Sequence, residues 1–234
     1  MDVNACIADA MKSGRNTLDE EKGKKVLASF GIKVPQSLLV LSPDAAGDVF
    51  SQLRAPLVAK IMSPEIIHKS DIGGVKVGLS SAEELGQALR DIEAAAISHT
   101  DNIDGYLVEE MAPMGHEVVV GGSTDPTFGP VIMFGLGGIF VEVLADVAFR
   151  ICPITTADAQ EMIDELKAVK LLRGARGGIV ASEVAIIDTL MKVGGEEGMM
   201  MALQGKIAEI DLNPLIVSES EAVAVDARFV LDKG

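Results

Sequence analysis

Helix signals and strand signals interleave through the first 108 residues of this chain, and a run of strands joined by turns follows. That change of rhythm limits the possible folds more than any single motif does. "TLDEEKGKKVLASFG" predicts a helix with Thr17 as N-cap, Glu20 completing a capping box and Gly31 at the exit. "VPQSLLVL" predicts a strand, "SPDAAGDVFSQL" a helix capped by Ser42 with Pro43 at its first position, and "PLVAKIM" another strand. "GVKVGLS" continues as strand, "SAEELGQALRDIEAAAI" as a helix capped by Ser81 with Glu84 three residues on, and "GYLVEEMA" as strand. Beyond these, "HEVVVGGS", "TDPTFGP", "VIMFG" and "IFVEVL" read as antiparallel strands. Helices "TADAQEMIDELKAVKLL" and "SEVAIIDTLMKVG" precede a closing β-pair, "KIAEIDLNPLIV" and "AVAVDARFV". The pattern excludes an all-β fold and lacks the strict βαβ rhythm and the GxGxxG of a Rossmann domain. The class expected is α/β in the broad sense, of the α+β kind. The Met-rich "GEEGMMMALQG" reads only as a flexible connection.

Size and charge narrow the functions. A chain of 234 residues buries a sizeable core without staples, and no run of 18 or more apolar residues suggests a membrane span. "MDVNACIADAMKSGRN" is amphipathic and carries Asp2 and Asp9, unlike an export signal. Cys6 and Cys152 lack metal spacing, which suits free thiols in a reducing cytoplasm. A formal net charge of −15 argues against nucleic acid as the main partner. Any anionic ligand must be held locally, by placed cations, backbone N–H groups or a metal.

The closing β-pair carries the sharpest geometry. A four-residue "SESE" turn, 218–221, pairs Val217 with Ala222 and sets Asn213 opposite Asp226, with Asp211 two residues earlier on the same face. Three oxygen-bearing side chains suit a hard cation such as Mg²⁺, and they equally suit the polar outer face of an edge hairpin. Lys60 is a lone cation in an apolar strand, where it either snorkels outward or meets an anion. "YLVEEMAPMGHEVVVG" ends a strand in Glu109 and Glu110, turns through Pro113 and Gly115, and enters a strand bearing Glu117. Such a crossing suits an adenine edge and ribose hydroxyls, or an ordinary hairpin. "FGLGGIFVEV" and "RGARGG" are glycine-rich without the GK[ST] of a Walker A motif. In "IIHKSDIGGVKVGL", His68 sits beside Lys69 and Asp71 ahead of a Gly-Gly pair, either as a hydrogen-bonded loop group or as a phosphoryl acceptor.

Several ordered stretches together resemble an ATP-grasp module of the ADP-forming acetyl-CoA synthetase β-subunit family. They are "LVAKIMSPEIIHKSDIGGVKVGL", "LVEEMAPMGHEVVVGGSTDPTFGPVIMFGLGGIFVEVLADVAFRICPI", "KLLRGARG" and "IDLNPL…VDAR". The resemblance implies an ATP-grasp fold of two lobes, 1–108 and 109–234, with the nucleotide between them. It implies that Lys60 contacts nucleotide phosphate, that Glu109, Glu110 and Met111 line the adenine hinge and that Glu117 meets the ribose. Asn213 and Asp226 match the family's Mg²⁺ ligands, and His68 its second phosphohistidine. The implied reaction is acyl-CoA + ADP + phosphate ⇌ carboxylate + ATP + CoA, through a phosphohistidine relay. CoA binding and the first phosphohistidine are expected on a partner α subunit, in an α2β2 assembly in the cytoplasm. A stand-alone ATP-grasp carboxylate–amine ligase and a regulatory nucleotide-sensing module are the rival readings.

Overall fold

The computed structural model describes residues 2–66, 69–138, 141 and 143–232, with the backbone alone at Arg176. The chain opens with helix α1 (Val3–Lys12), whose first turn is held by the Asp2 carboxylate accepting the N–H groups of Asn4 and Ala5. Helix α2 (Glu20–Ser29) follows, and its N-cap is Asp19, which accepts the Lys22 N–H at 2.8 Å. The cap expected at Thr17 is thus two residues early. Thr17 and Leu18 are extended instead, bridging Val230 and donating to the Phe229 carbonyl.

The next unit, Pro35–Ala112, is continuous in sequence. It contains β1 (Ser37–Val40), a short helix α3 (Ala46–Phe50), β2 (Leu57–Met62), β3 (Val75–Leu79), α4 (Ala82–Ile97) and β4 (Gly105–Glu110). A single 3₁₀ turn, Pro43–Ala45, leads into α3 and is capped by Ser42, as expected. Ser81 caps α4 by accepting the Glu84 N–H, while the Glu84 carboxylate reaches back to the Ser80 N–H. The strands form an antiparallel sheet in the order β1-β4-β2-β3. Leu85, Leu89, Ile92 and Ala96 repeat along one stripe of α4 and pack on Leu57, Ala59, Ile61, Tyr106 and Val108. Each fully buried Leu or Ile here contributes about 1.5–3 kcal/mol.

The other unit joins Met1–Val34 to Pro113–Gly234. The boundary expected at 108/109 lies four residues before Ala112, where the sequence-continuous unit ends, and Met1–Val34 groups with the C-terminal unit. The remaining elements are β5 (His116–Asp125), β6 (Gly129–Leu136), β7 (Val147–Ile151), α5 (Thr156–Asp164), α6 (Val169–Leu172), α7 (Glu183–Gly194), α8 (Met199–Ala202), β8 (Ile207–Val217), β9 (Ala222–Ala224) and β10 (Arg228–Leu231). Strands run antiparallel in the order β10-β8-β5-β6-β7, with β9 also on β8. Val118, Val120, Ile132, Phe134, Ile210, Leu212 and Phe229 point into one core with Ile7, Leu27, Met162, Ile186 and Leu190. Alternation sends Gly121, Met133, Glu209 and Asp211 to the opposite face.

The strand expected at "IFVEVL" lies later, at Val147–Ile151. Residues 139, 140 and 142 lie outside the described residues, and Val143 and Leu144 form a turn leading to Ala145, whose φ is 46°. Buried Asp146 then fixes the entry to β7 by accepting the N–H groups of Lys167 and Ala168. The Met-rich segment is no loose connection: Met199 and Met200 are buried. A Cβ on Gly122 would meet the Met200 sulfur at 2.5 Å, so the glycine leaves the room that this flexible thioether fills.

Candidate functional site

In the Pro35–Ala112 unit, the β2–β4 register pairs Lys60 with Leu107 and Val58 with Glu109. Lys60 and Glu109 therefore share a face, diagonally across two strands, opposite the one that packs on α4. Lys60 Nζ lies 2.8 Å from Glu109 Oε2, with side-chain exposures of 9% and 2%. The lone cation of the strand does not snorkel. Glu109, expected at the adenine hinge, directs its carboxylate at Lys60.

Glu110 is occupied differently. Its carboxylate accepts the Arg54 N–H at 2.9 Å and the Arg54 guanidinium at 3.2 Å, fastening the end of β4 to the loop before β2. The Glu110 N–H donates to the Gln36 carbonyl and the Met111 N–H to the Pro56 carbonyl. The Met111 side chain is exposed. No sequence pattern marks Arg54, because its partner lies on a distant strand end.

The loop between β2 and β3 carried the phosphoryl-acceptor expectation. His68 lies outside the described residues, as does Ile67. After them the chain closes tightly: the Gly74 N–H donates to the Lys69 carbonyl at 2.8 Å and the Gly73 N–H to that of Ser70 at 3.1 Å. Gly73 has φ 73°, and a Cβ on Gly74 would stand 2.7 Å from Ile61 Cγ2. The Gly-Gly pair is what lets this turn sit against β2.

In the other unit, Glu117 lies near the start of β5 opposite Ile216. Its carbonyl accepts the Gly137 N–H at 2.8 Å, and a Cβ on Gly137 would press within 3.0 Å of Glu117 Cβ. Neighbouring His116 places Nε2 2.7 Å from the Ile179 carbonyl, tying the end of "RGARGG" to this strand. Arg173 is engaged by Glu183 and Asp164, and Arg150 by Glu165 and Glu161; donating hydrogen bonds to these carboxylates raises both guanidinium pKa values further. Neither arginine is held ready for phosphate.

The closing hairpin has the expected register. Val217 pairs with Ala222 and Leu215 with Ala224 on one side of an interruption at 225–227; Asp211 pairs with Arg228 on the other. One register runs through both ladders, so Asn213 and Asp226 fall opposite each other within the gap. On the other side of β8 the pairing with β5 shifts between Val118 and Val120, which marks a bulge at Asn213–Pro214. Burial, then Glu209 and Asp226, raise the Asp211 carboxyl pKa. This crowding of negative charge is what a hard cation would relieve, and an amide oxygen with two carboxylates fits Mg²⁺. Among the described residues no three His, Cys, Asp or Glu gather into a metal cluster of their own. A cation here would lean on phosphate oxygens as well.

An open antiparallel sheet carrying a buried lysine, and a separate six-stranded sheet whose closing hairpin gathers oxygen donors, make a phosphate-handling protein of the ATP-grasp class. The ATP-grasp domain model matches residues 9–231. The β subunit of acetate–CoA ligase [ADP-forming] I from Pyrococcus furiosus is 43% identical over 228 residues, which span 96% of each chain. Acetate–CoA ligase [ADP-forming] I from Archaeoglobus fulgidus is 40% identical over 96% of this chain but only 32% of its own length. An acetyl-coenzyme A synthetase from Ca. Korarchaeum cryptofilum, solved with coenzyme A and Ca-AMPCP, superposes with TM-score 0.92 at 41% identity, over 97% of this chain and 99% of that one. The same synthetase with coenzyme A and Mg-AMPPCP gives TM-score 0.85 at 40% identity, over 98% and 99% of the two chains. The chain belongs to the ATP-grasp family and, within it, to the β subunits of ADP-forming acetate–CoA ligases.

Proposed function

We propose that this chain is the nucleotide-binding subunit of a cytoplasmic ADP-forming acyl-CoA synthetase, with acetyl-CoA as the reference substrate. The observation that carries the reading is the hairpin register that sets Asn213 opposite Asp226, in a chain similar along its whole length to such β subunits. In the reaction, inorganic phosphate displaces CoA from the acyl-CoA to give an acyl phosphate. A histidine of the partner α subunit takes the phosphoryl group and releases the carboxylate, and His68 passes that group to the terminal oxygen of ADP. Dividing the transfer in this way suits chemistry whose catalysis is mostly positioning and charge neutralisation.

Each residue has a defined part. Lys60 neutralises nucleotide phosphate, and its ion pair with Glu109 aims it. Glu110, through Arg54, and Met111 hold the adenine hinge, and Glu117 accepts the ribose hydroxyls. Asn213 and Asp226 hold Mg²⁺, with Asp211 beside them; when bound, Mg²⁺ screens charge on the phosphate oxygens. CoA binding belongs to an α partner in an α2β2 assembly. The full-length A. fulgidus relative, three times longer, supports a partner of that kind.

The test is to co-purify the chain with its α partner and assay ATP formation from a panel of acyl-CoAs, ADP and phosphate with Mg²⁺. ATP formation that needs both subunits and CoA release supports the reading. Full CoA-dependent ATP formation by the isolated chain, or none by the complex with any acyl-CoA, sinks it.

A further inference from the structure

Arg228 opens β10, directly opposite Asp211 on β8. Directly paired Cβ atoms of antiparallel strands stand about 4.5–5.5 Å apart, so the arginine rises from the face that carries Glu209 and Asp211. Asp226 lies two residues before it in the chain, and Asn213 two residues past Asp211. Arg228 is therefore a basic neighbour of the hairpin's oxygen donors, within the same unit.

Its partners set it apart from two other arginines of that unit. Arg150 donates to Glu165 at 2.5 and 3.1 Å, to Glu161 at 3.3 Å and to the Phe149 carbonyl at 2.9 Å. Arg173 donates to Glu183 at 2.7 and 3.3 Å and also to Asp164. Arg228 makes no side-chain hydrogen bond among the described residues. Its charge contact, from Nη1 to Glu209 Oε1, is 3.9 Å long, between side chains 51% and 46% exposed. Water competes for so long and open a contact, so Glu209 draws the guanidinium along the face without taking up its five N–H donors.

The charge of this face asks for such a group. Glu209, Asp211 and Asp226 gather negative charge, and the carboxylates that suit a cation also repel a phosphate. A guanidinium one strand away supplies the opposite sign and a planar fork that fits two phosphate oxygens. We propose that Arg228 binds the terminal phosphate of ADP, beside the cation held by Asn213 and Asp226. The proposal rests on the nucleotide-binding reading of this chain and adds to it a residue that grips phosphate from the hairpin's own sheet.

The experiment uses the chain co-purified with its α partner and measures ADP and AMP binding by calorimetry at fixed Mg²⁺. Arg228→Met should weaken ADP binding roughly 10- to 100-fold, the scale of a hydrogen bond to a charged group, and leave AMP binding within about twofold. Arg228→Lys keeps the charge without the fork and should fall between. Glu209→Gln should bind ADP at least as tightly as wild type, because the guanidinium loses only a competitor. ADP binding unchanged in Arg228→Met overturns the proposal, whatever happens to turnover. So does an equal loss for ADP and AMP, or a loss that Glu209→Gln reproduces, since either makes the arginine a structural partner of the sheet. A wild-type complex that binds no ADP sinks the nucleotide-binding reading itself and takes this role of Arg228 with it.

Discussion

Lys60 and Glu109 form an ion pair 2.8 Å long between adjacent strands, with side chains 9% and 2% exposed. Removing one member strands a buried charge, which costs about 3–5 kcal/mol. Lys60→Met and Glu109→Gln should each lower the melting temperature, and the double variant should recover most of the loss because no unpaired charge remains. Activity should not follow: every variant lacking Lys60 should lose turnover by about 10²-fold or more. Melting curves read beside steady-state rates separate the two roles, and a double variant that regained activity would exclude Lys60 from the phosphate site.

The Asn213–Asp226 pairing makes a separable prediction about metal. Chelation should abolish ATP formation by the complex, and added Mg²⁺ should restore it. Asp226→Ala should raise the Mg²⁺ concentration for half-activity about tenfold or more while the chain stays folded, since the metal relies on few protein ligands. An unchanged Mg²⁺ dependence would remove Asp226 from the site.

Arg173 bridges Asp164 and Glu183, and its hydrogen bonds hold both carboxyls below their usual range. A depressed folded-state pKa adds stability above the ordinary carboxylate range, and that stability is lost as pH falls through the folded value. The melting-temperature gap between wild type and Arg173→Ala should therefore be small at pH 7, narrow toward pH 3 and shrink in high salt. A gap that widened on acidification would contradict the assignment.

Two glycines should respond oppositely to alanine. On Gly115 a Cβ would stand 2.4 Å from the Val217 carbonyl oxygen, whereas on Gly47, inside α3, it meets nothing within 4 Å. Gly115→Ala should destabilise by about 1–3 kcal/mol, as overpacking does. Gly47→Ala should stabilise by about 0.5–1 kcal/mol through helix propensity. Denaturant midpoints at unchanged m report both.

Burial pushes the Cys152 thiol up to about 11 and raises that of Cys6 as well. At pH 8 both are overwhelmingly protonated, so a disulfide reagent should modify the native chain at least roughly tenfold more slowly than a free thiol. In denaturant two thiols should titrate at once, matching the two cysteines.

The hairpin register was legible because turn length and alternation are local and discrete: a one-residue slip would have turned every apolar side chain of β8 to the wrong face. The caps at Ser42 and Ser81 were legible for the same reason. Thr17 misled because the pull on it comes from Val230, at the far end of the sequence. Met199 and Met200 misled because the space they fill is made by Gly122, and composition cannot show a gap. The Lys60–Glu109 contact needed the β2–β4 register, for which no turn supplies a count, so both residues were legible as candidates while their pairing was not.

The discontinuity of the larger unit bears on how the chain comes off the ribosome. Leu18 donates to the carbonyl of Phe229, Leu231 to that of Asn16, and a Cβ on Gly23 would press on the Ala227 carbonyl. Helix α2 and the segment before it are docked by β10. Residues 35–112 can complete their sheet as soon as they emerge, because every strand in it is already made. Met1–Val34, though synthesised first, must wait for β10 to find their place. A nascent chain halted after residue 150 would therefore carry a finished small domain while the segment before it stayed undocked, exposed to protease at Thr17 and Leu18.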